Sequence, residues 1–346
     1  MNIMVRRNLI FARVGDHSLH KNFLAEPCRE RNWDLQLSTF GNDVERVRDD
    51  GDLPLSTDRG TKWDSVLRYF TANPQLLDRY DYIMFPDDDV LFESSMSLDR
   101  FFDICHEFDL TIAQPACTSE SYVSLPIFAR CPMFRLRFTT IVECMVPCVK
   151  SSYLKSTILP LYQKWITGWA TDQVAALLMP DPAFKAAIID EVPMTHTRPF
   201  FAGAIYSGFK SLSVSPQLEI QQVLASYQNR PPGFLVYGAV LKNGQRVGGS
   251  IARIINGLHL LKKFGAPLSK NSDSMVRAAL GMLVRAITLA NYMPVQVLPV
   301  EPRKHFDNCY ISANFCPDSK AAPENGPQRS REPRPRRQTC SDCDQE

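Results

Sequence analysis

The chain has 346 residues, 45% hydrophobic and 22% charged, an ordinary globular balance with enough apolar material for a sizeable core. Its net charge of +2 gives no global electrostatic case for nucleic acid, and no stretch approaches the roughly 20 apolar residues of a membrane helix. The first apolar run breaks at Arg13, Gly15 and Asp16 without a clear cleavage site, so it does not read as a signal peptide. The ten cysteines lie mostly in apolar contexts and read as reduced thiols in a cytoplasmic setting. Cys340 and Cys343 have zinc-ligand spacing but no second pair nearby, and are not read as a metal site.

The elements alternate over the first 215 residues. "NLIFAR" (8–13) is a short apolar strand that ends in the turn "VGDHS". "LHKNFLAEPCRERN" carries Leu19, Phe23 and Leu24 at helical spacing, and "WDLQLSTF" (33–40) alternates with period two. "KWDSVLRYFTAN" (62–73) places Trp63, Val66, Leu67 and Phe70 on one helical face. A strand at 82–85 follows, then a helix at 95–108 with Ser97 as its N-cap, then a strand at 110–115. The long Pro- and Arg-containing connection 115–137 is of a length that often carries function. Strands are expected again at 140–149 and 186–193. The pattern is α/β, with a mixed, mainly parallel sheet flanked by helices.

Residues 216–315 read as a C-terminal helical and hairpin extension, with Asn243-Gly244 in a type I′ turn. Segments 250–265 and 274–293 are amphipathic, with Arg253, Lys262, Lys263, Arg277 and Arg285 among their apolar residues. They suit packing on the rest of the protein or a partner, or peripheral contact with an anionic membrane. Residues 316–346 are rich in Pro and charge and are expected to be disordered.

The stretch "DYIMFPDDDV" ends an apolar strand in Asp87, Asp88 and Asp89. Like charges repel, so a positive partner is expected. In an extended segment Asp87 and Asp89 point one way and Asp88 the other, and two converging carboxylates suit Mg²⁺ or Mn²⁺. Ligands of open α/β sheets sit beyond the carboxyl ends of the strands, where Gly15 and Asp16 also fall if the strands are parallel. Two later stretches add candidates. In "WITGWATDQVAALL", Asp172 opens an apolar run, either as a helix-capping residue or as a functional carboxylate. In "AIIDEVPMTHTRPF", a strand leads to His196 and Arg198. Glu143 lies inside an apolar segment, where a charge needs a partner: an acceptor hydroxyl, or an arginine. Lys62, Arg198, Arg130, Arg135 and Arg137 are candidate phosphate contacts, against the alternative of solvated surface charges.

In this order, a strand ending in Asp-x-Asp, a Gly-Trp turn with a carboxylate, and a strand leading to a histidine, the chain resembles GT-A nucleotide-sugar glycosyltransferases. More closely it resembles the family catalogued as domain of unknown function 707. The stretches concerned are "VGDHSLHKNFL", "KWDSVLRYF", "DYIMFPDDDV", "LTIAQPA", "IVECMVPCV", "TGWATD", "IIDEVPMTHTRP" and "YGAVLKNGQRVGG", within roughly residues 8–250. The resemblance implies a GT-A-like fold and a metal-dependent glycosyltransferase using a nucleoside-diphosphate-sugar donor and a hydroxyl acceptor, a glycan or glycoconjugate. It implies Asp87, Asp89 and His196 as ligands of Mn²⁺ or Mg²⁺, and Asp172 as the base, with Glu143 a second candidate. Gly15, Asp16, Lys62, Asp88 and Arg198 would line the donor site. The turn carries one carboxylate where related enzymes often carry two. The alternatives are a sugar nucleotidyltransferase, disfavoured by the single glycine in "ARVGDHSLHKN", and a non-catalytic sugar- or nucleotide-binding protein on the same fold.

Overall fold

β1, Asn8–Val14, is buried along its whole length and pairs in parallel with β2, Trp33–Thr39, on one side and β4, Tyr82–Met84, on the other. A strand buried on both faces reads as a continuous apolar run, which is how "NLIFARV" reads. The two faces of β1 feed different clusters: Ile10, Ala12 and Val14 enter one, Leu9 and Phe11 the other. The helix Ser95–Glu107 covers the first face through Leu98, Phe101 and Phe102, and the helix Lys62–Ala72 covers the second through Trp63, Val66 and Phe70.

The computed structural model describes residues 6–24, 31–199, 214–264 and 272–300. The remaining strands in chain order are β3 (Ser56–Thr57), β5 (Val90–Phe92), β6 (Ile112–Cys117), β7 (Phe134–Thr139), β8 (Cys148–Lys150), β9 (Ala186–His196), β10 (Tyr227–Gln228), β11 (Val236–Leu241), β12 (Arg246–Gly248) and β13 (Leu298–Pro299). An 11-stranded sheet has the order β12-β11-β7-β9-β6-β8-β4-β1-β2-β3, with β5 paired to β9, and β10 and β13 form a separate ribbon. Within the large sheet β1, β2, β3, β4, β6, β9 and β11 run one way, and β5, β7, β8 and β12 run against them. The sheet is therefore mixed and mainly parallel, with a Rossmann-like block at β3-β2-β1-β4. The carboxyl ends of β1, β4, β6 and β9 consequently open on the same edge.

Several local expectations change. The polar positions of β2 do not face water: Asp34 accepts from the Tyr80 hydroxyl at 2.6 Å and from Arg6 and Arg79, while Gln36 binds Tyr69, Leu37 and Pro54. Their period-two pattern marks a buried polar network. Ser94, not Ser97, caps the helix Ser95–Glu107, because its hydroxyl accepts from the Ser97 amide. Residues 140–147 form a loop, and strand pairing begins only at Cys148. The β11–β12 connection is not type I′. Asn243 is absent from the positive-φ residues and Gly244 alone has φ +85°, with its amide bonded to the Leu241 carbonyl at 2.9 Å. A type I turn followed by a left-handed glycine fits these facts.

The C-terminal extension continues the same sheet, because β11 pairs with β7. The described residues all fall in one compact unit, within Met1–Glu301. The expected disordered tail and its Cys340–Cys343 pair lie outside the described residues, as do Cys28, Cys309 and Cys316. Cys105, Cys117, Cys131, Cys144 and Cys148 are free thiols.

Candidate active site

The apolar run of β4 ends at Pro86, and Asp87, Asp88 and Asp89 occupy the turn into β5. Their side chains share no partner. Asp87 Oδ1 accepts from Lys62 Nζ at 2.6 Å. Asp88 Oδ1 accepts from Arg198 Nη1 at 2.9 Å, and its Oδ2 from the Gly15 amide at 3.3 Å. Asp89 Oδ2 faces His196 Nε2 at 3.3 Å. Asp88 turns to the β1 loop, Asp87 to the helix Lys62–Ala72 and Asp89 to the end of β9, so Asp87 and Asp89 take separate partners rather than the single shared point expected of them.

His196 is the last residue of β9, opposite Val90 of β5. Its Nδ1 lies 2.9 Å from the Tyr122 carbonyl, which can only accept, so Nδ1 carries the proton. In the neutral ring Nε2 is then the lone-pair nitrogen, and it points at a carboxylate. Two electron-rich atoms in that relation need a cation, either a proton or a metal. Desolvation lowers the His196 pKa, but the Asp89 hydrogen bond and charge outweigh it and leave it above the ordinary value. The other Asp89 oxygen, Oδ1, is buried without a hydrogen-bond partner.

Glu143 lies in the loop before β8, held by its amide on the Gln114 side chain at 2.6 Å. Its Oε2 is buried without a hydrogen-bond partner, Ser124 hydrogen-bonds the side chain, and among the described residues no arginine forms an ion pair with it. Burial pushes its pKa up to about 7, against the lowering effects of Ser124, His196 and Lys62, with Asp87 adding to the rise. Asp172 ends the short helix Trp169–Asp172. Burial, then the nearby charge of Glu143, drives its carboxyl well above the ordinary range, while Cys144 and Lys62 pull the other way. Asp87 and Asp88 are also raised, first by burial, although Lys62 and Arg198 oppose it. The Asp87 side chain nevertheless keeps 40% of its surface exposed, so it borders the opening of the site.

Five carboxyls thus gather at the sheet edge with Lys62, Arg198 and His196 as their only close cations among the described residues. Fully ionised, with His196 protonated, the group would carry a surplus of two negative charges. Such a surplus favours protons on these carboxyls unless a cation is taken up, and it is one cause of their raised pKa values. The fit with a divalent metal is partial in the protein alone. Among the described residues, no group of three or more His, Cys, Asp or Glu side chains forms a ready cage. Asp89 and His196 fit as a pair of ligands, and Asp87 is near enough for its charge to act on both. Mg²⁺-type sites commonly complete their coordination with substrate phosphates rather than protein groups.

Other expected residues have different tasks. Lys62 is not a surface lysine. Its ammonium binds the Phe85, Cys144 and Met145 carbonyls at 2.7–2.9 Å besides Asp87, so it clamps the Asp87 loop to the Glu143 loop and is not available to a phosphate. Asp16 is partly exposed, and its carboxylate accepts from the Asp43 and Asn42 amides, which lowers its pKa. Gly15 admits no side chain, because a Cβ would lie 2.8 Å from Phe40 and 3.2 Å from Asp88 Oδ2. Arg198 ties the end of β9 to the β1 loop through Asp88 and the His17 carbonyl.

The long-loop arginines are structural. Arg137 is fully buried in a two-point pair with Asp190 at 2.8 and 2.9 Å, and also binds the Ile127 and Ala129 carbonyls. Arg135 binds Glu107 and Glu191, and Arg130 lies against the Asp190 carbonyl. The reading of residues alone did not find Tyr122, Gln114 or Trp63. Gln114, a polar residue inside the apolar strand "LTIAQP", was the one available signal. Trp63 explains the Gly-Trp turn: Gly168 has φ +85°, and a Cβ there would lie 2.1 Å from the Trp63 indole nitrogen.

A scan against protein-family models finds no match, and a search of curated proteins finds none. Among solved structures the chain is similar to residues 1–349 of S. aureus TarS, with 11% identity over 81% of each chain and a TM-score of 0.36. It is also similar to the mannosyltransferase PcManGT from Pyrobaculum calidifontis, solved with GDP-Man and Mn²⁺, with 11% identity over 82% of this chain and 86% of that one and a TM-score of 0.37. A CMP:2-keto-3-deoxy-manno-octonic acid synthetase matches 46% of this chain at 8% identity and a TM-score of 0.28. At these scores the fold rests on the strand order and pairing described above.

Proposed function

We propose that this protein is a metal-dependent glycosyltransferase of the GT-A type, moving a sugar from a nucleoside-diphosphate-sugar to a hydroxyl of a glycan or glycoconjugate. The observation that carries the proposal is the Asp89–His196 pair, a proton-fixed imidazole whose lone pair faces a carboxylate with a second, unpartnered oxygen. The motif order that resembles GT-A nucleotide-sugar glycosyltransferases supports the same reading. Asp89, His196 and Asp87 would hold Mn²⁺ or Mg²⁺, and the cation, when bound, would neutralise the departing diphosphate as a Lewis acid.

The protein's own groups divide the remaining work. Glu143, with a pKa of about 7 and a free oxygen, is matched to take a proton from the acceptor hydroxyl near neutral pH. Burial and the neighbouring Glu143 charge favour the proton-bearing form of Asp172, so Glu143 is the carboxylate we assign as the base. Lys62 fixes the Asp87 loop, and Arg198 and the Gly15 amide fix Asp88, so the acidic turn stays in place. Gly15 and the Asp16 turn border the donor.

The test is paired. Asp87→Ala/Asp89→Ala is expected to abolish Mn²⁺-dependent nucleotide-sugar binding, and unchanged binding would overturn the metal assignment. Glu143→Gln is expected to keep donor binding while lowering the transfer rate by roughly 10²–10⁴-fold. A rate within a few-fold of wild type would remove Glu143 as the base.

A further inference from the structure

The helices Gly249–Phe264 and Ser272–Thr288 form an antiparallel pair. Ser250 Oγ donates to the Ala286 carbonyl at 2.7 Å, Asn256 lies against Met282 Sδ at 3.2 Å, and a Cβ on Gly257 would meet the Ala279 carbonyl at 3.1 Å. Their inward faces are settled. Ala252, Leu260, Met275, Ala279 and Ala286 are buried, and Arg253 anchors the pair by donating to the Val236 and Leu289 carbonyls at 2.7 Å each.

The outward faces are apolar as well. Ile251, Ile254 and Leu258 on the first helix and Leu280, Val284 and Ile287 on the second are 42–82% exposed. Each trio has the spacing of one helical side. The antiparallel pairing sets Ile251 level with Ile287 and Leu258 level with Leu280, so the trios form one strip. Between Arg253, which is buried, and Lys262 the first helix has no Lys, Arg, Asp or Glu. Single exposed apolar residues are normal, but two aligned rows are not.

Charge identifies what the strip meets. From residue 220 to 300 there are nine lysines and arginines and one acid, Asp273, a net of +8 in a chain whose total is +2. Residues 1–219 carry 22 basic and 28 acidic residues, a net of −6. Lys262, Lys263 and Arg277 are exposed at the borders of the strip, and Lys242 and Arg246 lie at the adjoining hairpin. We infer that this helical pair is an interfacial docking surface for an anionic lipid membrane, lying in the headgroup layer with the six apolar side chains inserted. Apolar insertion together with attraction of Lys and Arg to anionic headgroups is how such helices bind. A nucleic acid would reward the charge but not the isoleucines, and a second copy would set two strongly positive surfaces face to face. No helix among the described residues is long and apolar enough to cross a membrane, which agrees with lying on one.

The experiment is flotation of the full chain with phosphatidylcholine vesicles and with vesicles containing about one-third phosphatidylglycerol. Binding to the anionic vesicles is expected, weaker in high salt. Ile251→Ser/Leu258→Ser/Val284→Ser/Ile287→Ser is expected to abolish it, and Lys262→Glu/Lys263→Glu to weaken it at least about tenfold. All four apolar positions are exposed, so the variant should keep its near-ultraviolet circular dichroism and any nucleotide binding. Flotation unchanged in either variant overturns the inference, as does failure of the full chain to float with either vesicle. Concentration-dependent dimerisation lost in the serine variant, without flotation, would assign the strip to a second copy and equally overturn it.

Discussion

Two surfaces of this molecule hold charge in opposite ways. At the carboxyl edge of the sheet, five carboxyls are drawn into partial burial, and Asp87, Asp88, Asp172 and Glu143 are all pushed above their ordinary pKa values. On the helical pair Gly249–Phe264 and Ser272–Thr288, Lys262, Lys263 and Arg277 remain near water and two rows of apolar residues are exposed beside them. The first arrangement costs stability that a ligand of opposite charge would return, in line with the proposed metal site. The second costs little in the fold itself, and its unusual feature is the solvent exposure of apolar area, in line with the proposed docking surface.

Mutations should separate the two regions by size of effect. Arg137→Leu would leave Asp190 buried without its pair and is expected to destabilise by about 3–5 kcal/mol in denaturant titration. A loss below about 1 kcal/mol would mean that the Arg137–Asp190 pair does not support the sheet under the site. Gly168→Ala forces a Cβ against Trp63 at a positive φ, and about 2–3 kcal/mol should be lost, with weakened donor binding as the Gly-Trp turn shifts. Ile287→Ser, on a residue 82% exposed, should change stability by no more than about 0.5 kcal/mol. A large loss there would show that the apolar strip is covered in the free protein.

The pH dependence sharpens the contrast. Glu143 has a folded pKa of about 7 against an ordinary value of 4.5, so within that window the folded state holds a proton that the unfolded state has released. Stability therefore falls as pH rises through the window. His196 is also raised, so its contribution is present below its unfolded value and is lost as pH rises through the folded one. The metal-free protein is expected to melt at a lower temperature at pH 8 than at pH 6. Glu143→Gln should flatten the profile and stabilise at pH 8 by up to about 3 kcal/mol. Saturating Mn²⁺ should reverse the slope, because the metal displaces the His196 proton and binds more tightly as pH rises. A profile that neither Glu143→Gln nor Mn²⁺ alters would place the titrating groups elsewhere.

Much of the fold could be read from local pattern. β1, β4, β6 and β9 are largely apolar runs, β2 alternates with period two, and the helix Lys62–Ala72 shows its buried face directly in the spacing of Trp63, Val66 and Phe70. Residues 140–147 misled because "TIVECMVP" is apolar for a different reason: it packs its loop under the site, with Val142 in one cluster and Met145 and Val146 in the other. At the site, the acidic turn, Glu143, Asp172 and His196 were identifiable as residue types out of place. Their connections were not. The Lys62 clamp spans 82 positions to Cys144, and the carbonyl that fixes the His196 tautomer belongs to Tyr122, 74 positions away. A backbone acceptor has no signature in residue type. The fate of Arg137 was equally hidden, since its partner Asp190 lies on a different strand.

The most direct test of the account is calorimetric titration of the full chain with UDP and with GDP, each in the presence and absence of Mn²⁺, repeated on Asp89→Asn. The account predicts binding of one nucleotide that requires Mn²⁺ and is lost in Asp89→Asn, because the surplus negative charge at the sheet edge repels a diphosphate until a cation is bound. Binding of neither nucleotide under any condition, or binding indifferent to both Mn²⁺ and Asp89, would contradict it.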